Sequence, residues 1–177
     1  CDTQSVFPDE PYEVVKHYTE QILPVAVPMF EIGFKENAPK AFLKTKELIC
    51  TNILLTAFSA ESSALYRKLI DEKLINSSFD SEYLEGSGYR AVIFSGESRN
   101  PQKAAEIILD AVKELHKNGI SKEDFEIAKR SVYGKLIAGF DSPSSIASGI
   151  INAEFWGREI FESVDVFSDI TLDDVNN

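Results

Sequence analysis

Only two histidines, His17 and His116, are available for metal or proton chemistry in this chain. His17-Tyr18-Thr19-Glu20-Gln21 is one residue away from the zinc pattern His-x-x-Glu-His, with Gln21 standing where the second imidazole belongs. A catalytic zinc takes three protein ligands of the His, Cys or carboxylate type, and an amide is a poor substitute. His116 falls near the end of an amphipathic stretch, where a helix's negative end favours it for structural reasons. The sequence therefore assigns no metal ligand and no catalytic residue to this chain. Ser77, Ser78, Ser95 and Ser98 lack the Gly-x-Ser-x-Gly turn that exposes a nucleophilic hydroxyl, and neither histidine is placed to activate them. Gly86-Ser87-Gly88 sits between two alternating segments instead of opening a helix, which rejects a dinucleotide loop. Phe94-Ser95-Gly96-Glu97-Ser98 ends a strand and holds one glycine, so it is a turn and not a phosphate cradle. Carboxylates are plentiful, at Asp71, Glu72, Asp80, Glu82, Glu85 and Glu97. Alternation places Asp80 and Glu82 on one strand face with Asn76 and Ser78, opposite Ile75, Phe79 and Tyr83. Such a face either lines a binding cleft or is the solvated side of a sheet.

The elements that must position these groups follow from periodicity and punctuation. Residues 1–23, passing through Pro8 and Pro11, read as an irregular arm containing a short helix over Tyr12–Gln21. Pro24–Lys35 (PVAVPMFEIGFK) is a strand with Phe30, Ile32 and Phe34 on one face; Pro28 removes a ladder donor and puts it at an edge or bulge. Asn37–Pro39 is a loop. Phe42–Phe58 is a long helix whose apolar residues spread over Leu48, Ile49, Asn52, Ile53, Leu55 and Ala57, so it is buried on most sides. After a break at Ser59–Ser62, a helix carrying Leu65, Leu69 and Leu74 runs into an alternating segment, Ile75–Phe79–Tyr83. The glycine turn and a second alternating segment from Tyr89 to Ser95 complete a hairpin. Asn100-Pro101 opens a helix with stripe Ala104, Ile108, Ala111, Val112 and Leu115, stopped by Gly119. Ser121 and Asp124 open the next, which buries Phe125, Ala128, Val132 and Leu136. Ser142-Pro143 opens another with Ile146, Ile150 and Phe155, and Arg158–Phe167 is a further helix. Few strands and many helices in irregular order give an α+β class, with an antiparallel or mixed sheet and helices packed on one face. Any fourth or fifth strand must come from unassigned segments or from a partner.

The chain has 177 residues, enough for one domain with a core, and 29 acidic against 18 basic residues give a formal net charge of −11. That balance excludes a nucleic-acid surface, which needs clustered Lys and Arg. No run reaches the roughly 20 apolar residues of a membrane span, so no membrane partner is expected. Two cysteines, Cys1 and Cys50, are too few for a disulfide framework and point to a reducing, cytoplasmic compartment. Cys50 is expected to be a small core residue. The absence of an initial Met, and the helix-opening capping box Thr171/Asp174 near the other end, read as a piece of a longer protein.

Leu65-Tyr66-Arg67-Lys68-Leu69-Ile70-Asp71-Glu72-Lys73-Leu74-Ile75-Asn76-Ser77-Ser78-Phe79 resembles the repeat of the M16 metallopeptidases, the insulinase, pitrilysin and mitochondrial-processing-peptidase group. Phe94-Ser95-Gly96, the Asn100-Pro101 helix start, Gly119-Ile120-Ser121-Lys122-Glu123-Asp124-Phe125 and Ala128-Lys129-Arg130 continue the likeness in order and spacing. Gly33-Phe34-Lys35 matches the end of that domain's first strand. The resemblance spans nearly the whole chain from about Pro8, and is to the C-terminal, non-catalytic or "inactive" domain of a bacterial-type protein. It implies an M16 peptidase half-domain of the LuxS/metallohydrolase-like fold over residues 24–177.

The resemblance further implies paired domains closing around a peptide-holding chamber. Zinc, with a zinc-activated water and a Glu base, belongs to an N-terminal domain of the parent, and no cofactor is expected in this chain. Partners would be the other M16 domains of the parent or a paired subunit, together with a peptide substrate. Many active members carry an Arg and a Tyr near the hairpin that help hold the substrate carbonyl; here those positions fall near Ile70 and Asn76. Ile has no donor, and Asn offers only a short amide. The residues expected to meet substrate are Ile70, Asn76 and Ser78 at the hairpin, with Phe30 and Ile32 on the edge strand, where a peptide would add by main-chain hydrogen bonds. Taken alone the chain is expected to hydrolyse nothing, while its parent would be a zinc metalloendopeptidase. The rival reading, favoured by the missing Arg and Tyr, is a structural or partner-binding subunit of an M16-like protein without peptidase activity.

Overall fold

The computed structural model describes residues 11–37 and 41–177. Cys1, Pro8, the start of the arm and the centre of the Asn37–Pro39 loop lie outside the described residues. Ten elements follow one another. They are β1 (Met29–Glu36), α1 (Thr45–Ser59), α2 (Ala64–Asp71), β2 (Asp80–Gly86), β3 (Tyr89–Glu97), α3 (Pro101–Asn118), α4 (Lys122–Phe140), α5 (Pro143–Trp156), α6 (Glu162–Phe167) and α7 (Leu172–Asn176). The strands form one antiparallel sheet in the order β1-β3-β2, so among the described residues β1 and β2 are both edges.

The register can be read from the hairpin outward. Ser87-Gly88 is a two-residue turn closed by the pair Gly86 and Tyr89, with Gly88 at φ +87°. The closing pair of such a turn is hydrogen-bonded, and bonded pairs then alternate along the ladder. Asp80, Glu82 and Leu84 thus spend their backbone groups on β3, while those of Ser81, Tyr83 and Glu85 point away from it. On the other side Ser98 donates to the carbonyl of Pro28 at 2.9 Å, the same parity carried across β3. There Phe30, Ile32 and Phe34 face β3 with their backbones, and Glu31, Gly33 and Lys35 face outward.

Burial divides the molecule into two cores that share α1. Phe30, Phe58, Leu65, Leu69, Leu74, Ile75, Phe79, Phe94, Ala104 and Ile108 pack one sheet face against α2 and α3. Ile49, Ile53, Ile120, Phe125, Ala128, Phe167, Ile170 and Val175 join α1 to α4, α6 and α7. The breadth of apolar surface on α1 is explained by this double duty. Cys50 packs half-buried against the second core, and burial raises its thiol pKa. Thr45–Asp71 has the length and mean hydropathy, 1.3, of a membrane-crossing helix. The helix is interrupted between Ser59 and Ala64, and Ile49, Ile53, Leu65 and Leu69 on it are buried inside the protein.

Helix starts lie where the capping residues put them. The side chains of Ser63, Asn100, Ser121, Ser142 and Thr171 each accept the backbone N–H three residues on. Three expectations are corrected. Tyr12–Gln21 is irregular and exposed, because Val15 and Ile22 find nothing to pack on and a short helix in water is not self-sustaining. The first strand starts at Met29 and not Pro24, after the second of two prolines. The second strand starts at Asp80 and not Ile75. There the Asn76 side chain accepts from Ser78 N (2.8 Å) and its carbonyl from Phe79 N (3.2 Å), closing a turn before pairing can begin. Asn76 and Ser78 therefore precede the strand face instead of lying on it.

Candidate functional site

A cleft of about 1080 Å³ opens between the β2 edge and α1 on one side and α4, α5 and the α5–α6 loop on the other. Seven consecutive residues, Ser77 to Tyr83, line it. Successive strand residues point to opposite faces, so a cleft that meets every one of them meets the strand's edge. Leu48, Leu55, Leu136 and Ile160 supply apolar lining, and Glu61, Asp80, Glu82 and Glu159 supply carboxylates.

The far wall is fixed to the sheet by a buried ionic cluster. Arg158, just beyond α5, meets one oxygen of Glu85 on β2 through Nη2, and its Nε donates to the Leu43 carbonyl at 2.7 Å. The other Glu85 oxygen accepts from Leu43 N and lies 3.7 Å from Arg90 Nε. Arg90 Nη2 donates to the Ala41 carbonyl at 2.8 Å. These three side chains are only 8–11% exposed. Trp156 is gripped beside them, with Arg158 5.3 Å from its ring centre and Phe42 at 6.3 Å. Thr45 donates to Glu162, tying α1 to α6. Tyr83 reaches under the sheet, where its buried hydroxyl has no hydrogen-bond partner. Burial, followed by the charge of Glu36, pushes its pKa up to about 12.

The residues singled out from sequence fall in three places. Ser78 lines the cleft, and its hydroxyl accepts from Glu97 N at 3.0 Å. Asn76 is beside it and donates to the Glu97 carboxylate at 2.8 Å. Ile70 is 37% exposed on α2, away from the cleft lining. Phe30 and Ile32 turn their side chains into the first core, so their outward-facing partners on β1 are Glu31 and Gly33. Sequence reasoning brought Asn76 and Ser78 together but missed Glu85, Arg90 and Arg158. Their separation of up to 73 positions leaves no local signal beyond an unpaired acid in a strand.

Among the described residues no group of three His, Cys, Asp or Glu side chains could hold a metal ion. His17 is exposed in the irregular segment and His116 is exposed on α3. A catalytic zinc does not fit the described residues.

The family model described as the peptidase M16 inactive domain matches residues 3–132. Over 152 residues the chain is 30% identical to a Bacillus subtilis protein named uncharacterized zinc protease YmfH. The match takes in 82% of this chain and 34% of that protein, so the chain spans about a third of its relative's length. The fold is shared with a crystal structure described as an M16-like peptidase from Alicyclobacillus acidocaldarius. There the TM-score is 0.76 and the identity 23%, over 86% of this chain and 37% of that one. It is shared also with the inactive peptidase domain of a Bordetella parapertussis protein described as a zinc protease. That comparison gives a TM-score of 0.68 and 19% identity, over 87% of this chain and 86% of that one.

Proposed function

The chain belongs to the peptidase M16 inactive-domain family, and from that premise we propose that it forms one wall of a peptide-holding chamber and binds extended peptide there. Peptide hydrolysis would be carried by a separate zinc-bearing domain of the parent protein, with which this wall would close. The observation that carries the reading is the β2 edge. Among the described residues it has a single strand partner; the backbone groups of Tyr83 and the Ser81 carbonyl point outward, the Ser81 N–H is held by Asp80 Oδ1 at 2.8 Å, and the edge lies along the cleft. An unpaired edge beside an apolar groove is what an extended peptide needs in order to add as a strand.

This moves the expected binding strand. The β1 edge named from sequence is also free of a second strand among the described residues, but none of its residues lines the cleft beside β2. Binding of an unstructured peptide, followed by fluorescence anisotropy, tests the reading. N-methylation of the peptide amides that face β2 should abolish binding, whereas N-methylation of the alternate amides should not. Amide exchange should slow at Tyr83 on binding, the Ser81 N–H being already held by Asp80. Slowing at Glu31, Gly33 and Lys35 instead would return the role to β1. No hydrolysis is expected from the chain alone.

A structural or partner-binding role without peptidase chemistry in the parent is the second reading. It is favoured by Ile70, which has no donor, and by the exposed Ile150, Ile151 and Phe155 on α5. A peptide-binding wall and a partner-binding wall separate in the anisotropy experiment. Two cysteines in 177 residues fit a reducing compartment, and we place the parent in the cytoplasm; fractionation of the producing cell checks this.

A further inference from the structure

We infer that the cleft selects extended peptides in which basic and apolar residues alternate, the basic ones lying opposite Asp80 and Glu82. The inference rests on the peptide-binding reading above and adds the class of peptide.

Geometry supplies the pattern. A strand added along β2 would place alternate side chains on the two faces of the enlarged sheet. On the outer face its residues would stand opposite Asp80 and Glu82, with Cβ atoms about 4.5–5.5 Å away, close enough for opposite charges to attract and like charges to repel. On the inner face its residues would stand opposite Ser81 and Tyr83 and enter the apolar part of the cleft between Leu55, Leu136 and Ile160. A period-two peptide meets both demands, and a helix or a block arrangement of the same residues does not.

Charge supplies the sign. Asp80, Glu82, Glu61 and Glu159 all line the cleft and are exposed. Among the described residues none of the four forms an ion pair, since the pairs made there use Glu72, Glu85, Asp110 and Asp174. Against them the lining offers Lys135 and Arg158, and Arg158 is already spent on Glu85. A net charge of −11 adds a long-range field of the same sign, which raises the local concentration of cations.

The test uses the 177-residue chain and labelled peptides of about seven residues, the length of β2. One alternates Val with Lys, one Val with Gln and one Val with Glu, and a fourth holds the Lys and Val residues in two blocks. Two opposed charge pairs should make the Lys peptide bind about tenfold tighter than the Gln peptide, with the Glu peptide weaker than both. The preference should fade between about 0.05 and about 0.5 M salt. In Asp80→Asn/Glu82→Gln it should fall below about threefold, with affinity for the Gln peptide unchanged. Both side chains are exposed, and the Asn carbonyl can keep accepting from Ser81 N, so the fold is preserved. Equal affinity for the Lys, Gln and Glu peptides overturns the charge selection alone. A block peptide that binds as well as the alternating one overturns the strand pattern. If no peptide binds, the inference fails together with the reading beneath it.

Discussion

Replacing Glu85 by Gln should destabilise the protein by about 3 kcal/mol, because it removes the carboxylate that lies against two buried guanidinium groups. Glu85 and Arg158 are 9% and 8% exposed and Arg90 is 11% exposed, so little solvent is left to screen the two cations. Breaking a buried pair from one side costs about 3–5 kcal/mol, most of it the uncompensated charge that stays behind. The lower end applies here, because each guanidinium keeps one backbone carbonyl, Leu43 for Arg158 and Ala41 for Arg90. The Gln carbonyl can still accept from Leu43 N, but its amide turns donors toward Arg158. Against a usual total of about 5–15 kcal/mol the loss is easily read. Urea unfolding should show a lower midpoint at unchanged slope. Because Arg158 anchors the α5–α6 loop, amide exchange should quicken in α5 and α6 before it does in the sheet. Arg158→Gln should behave similarly, and the double substitution should cost about 2 kcal/mol less than the sum of the singles. A Glu85→Gln loss below about 1 kcal/mol with additive singles would mean the cluster is screened like a surface pair. The cleft wall would then have to be held by packing alone.

Two glycines should respond in opposite directions. Gly119 has φ +66° and ψ −171°, and a Cβ there would lie 2.6 Å from the Asn176 side chain, so Gly119→Ala should cost about 1–3 kcal/mol. Gly134, exposed in mid-α4 with nothing near its Cβ position, should gain about 0.5–1 kcal/mol on replacement by Ala; thermal unfolding of both variants decides. The hydrogen bond from Lys46, and then those from Thr171, hold the Asp174 carboxyl well below its usual range. A depressed folded pKa stabilises above the unfolded value and is lost as pH falls, so Asp174→Asn should flatten the acid limb of the stability profile below about pH 4. Tyr83 has the opposite sign: its pKa raised to about 12 favours the folded state below about pH 10, and that advantage disappears as pH climbs further. A phenolate absorbance titration should lose its latest step in Tyr83→Phe.

What the sequence made legible was local. Asn100-Pro101, Ser121/Asp124 and Thr171/Asp174 each satisfy backbone donors within three residues, so they act before any tertiary contact exists. The Ser87-Gly88 turn sets the hairpin register in the same way. The irregular Tyr12–Gln21 segment shows the converse, since its apolar residues had the spacing of a helix but no surface to pack on. The cleft was illegible because its walls are joined by long-range contacts, Glu85 with Arg158, Thr45 with Glu162 and the core shared by α1 and α4, and no periodicity records contacts of that range. Alternation did put Asp80 and Glu82 on a polar face, and only the location of α5 turns that face from a solvated surface into the rim of a groove.

Asn76 holds the start of the hairpin through its own hydrogen bonds. Its carbonyl oxygen accepts from Ser78 N and its amide donates to Glu97 (2.8 Å each), while Ser78 returns a bond from the Glu97 backbone. Asn76 is therefore occupied in delaying β2 until Asp80, and Ile70 on α2 carries no polar group to compensate. On the reading proposed above, a peptide at this wall would be gripped by strand edge and charge, not by donors aimed at one carbonyl. Asn76→Ala should consequently disturb the turn and the start of β2, detectable as faster exchange at Phe79 and Ser81. It should weaken every alternating peptide by a similar factor, leaving the preference for Lys over Gln intact. Loss of that preference alone, with exchange at Phe79 unchanged, would show that Asn76 contacts the peptide directly and refute the division of labour argued here.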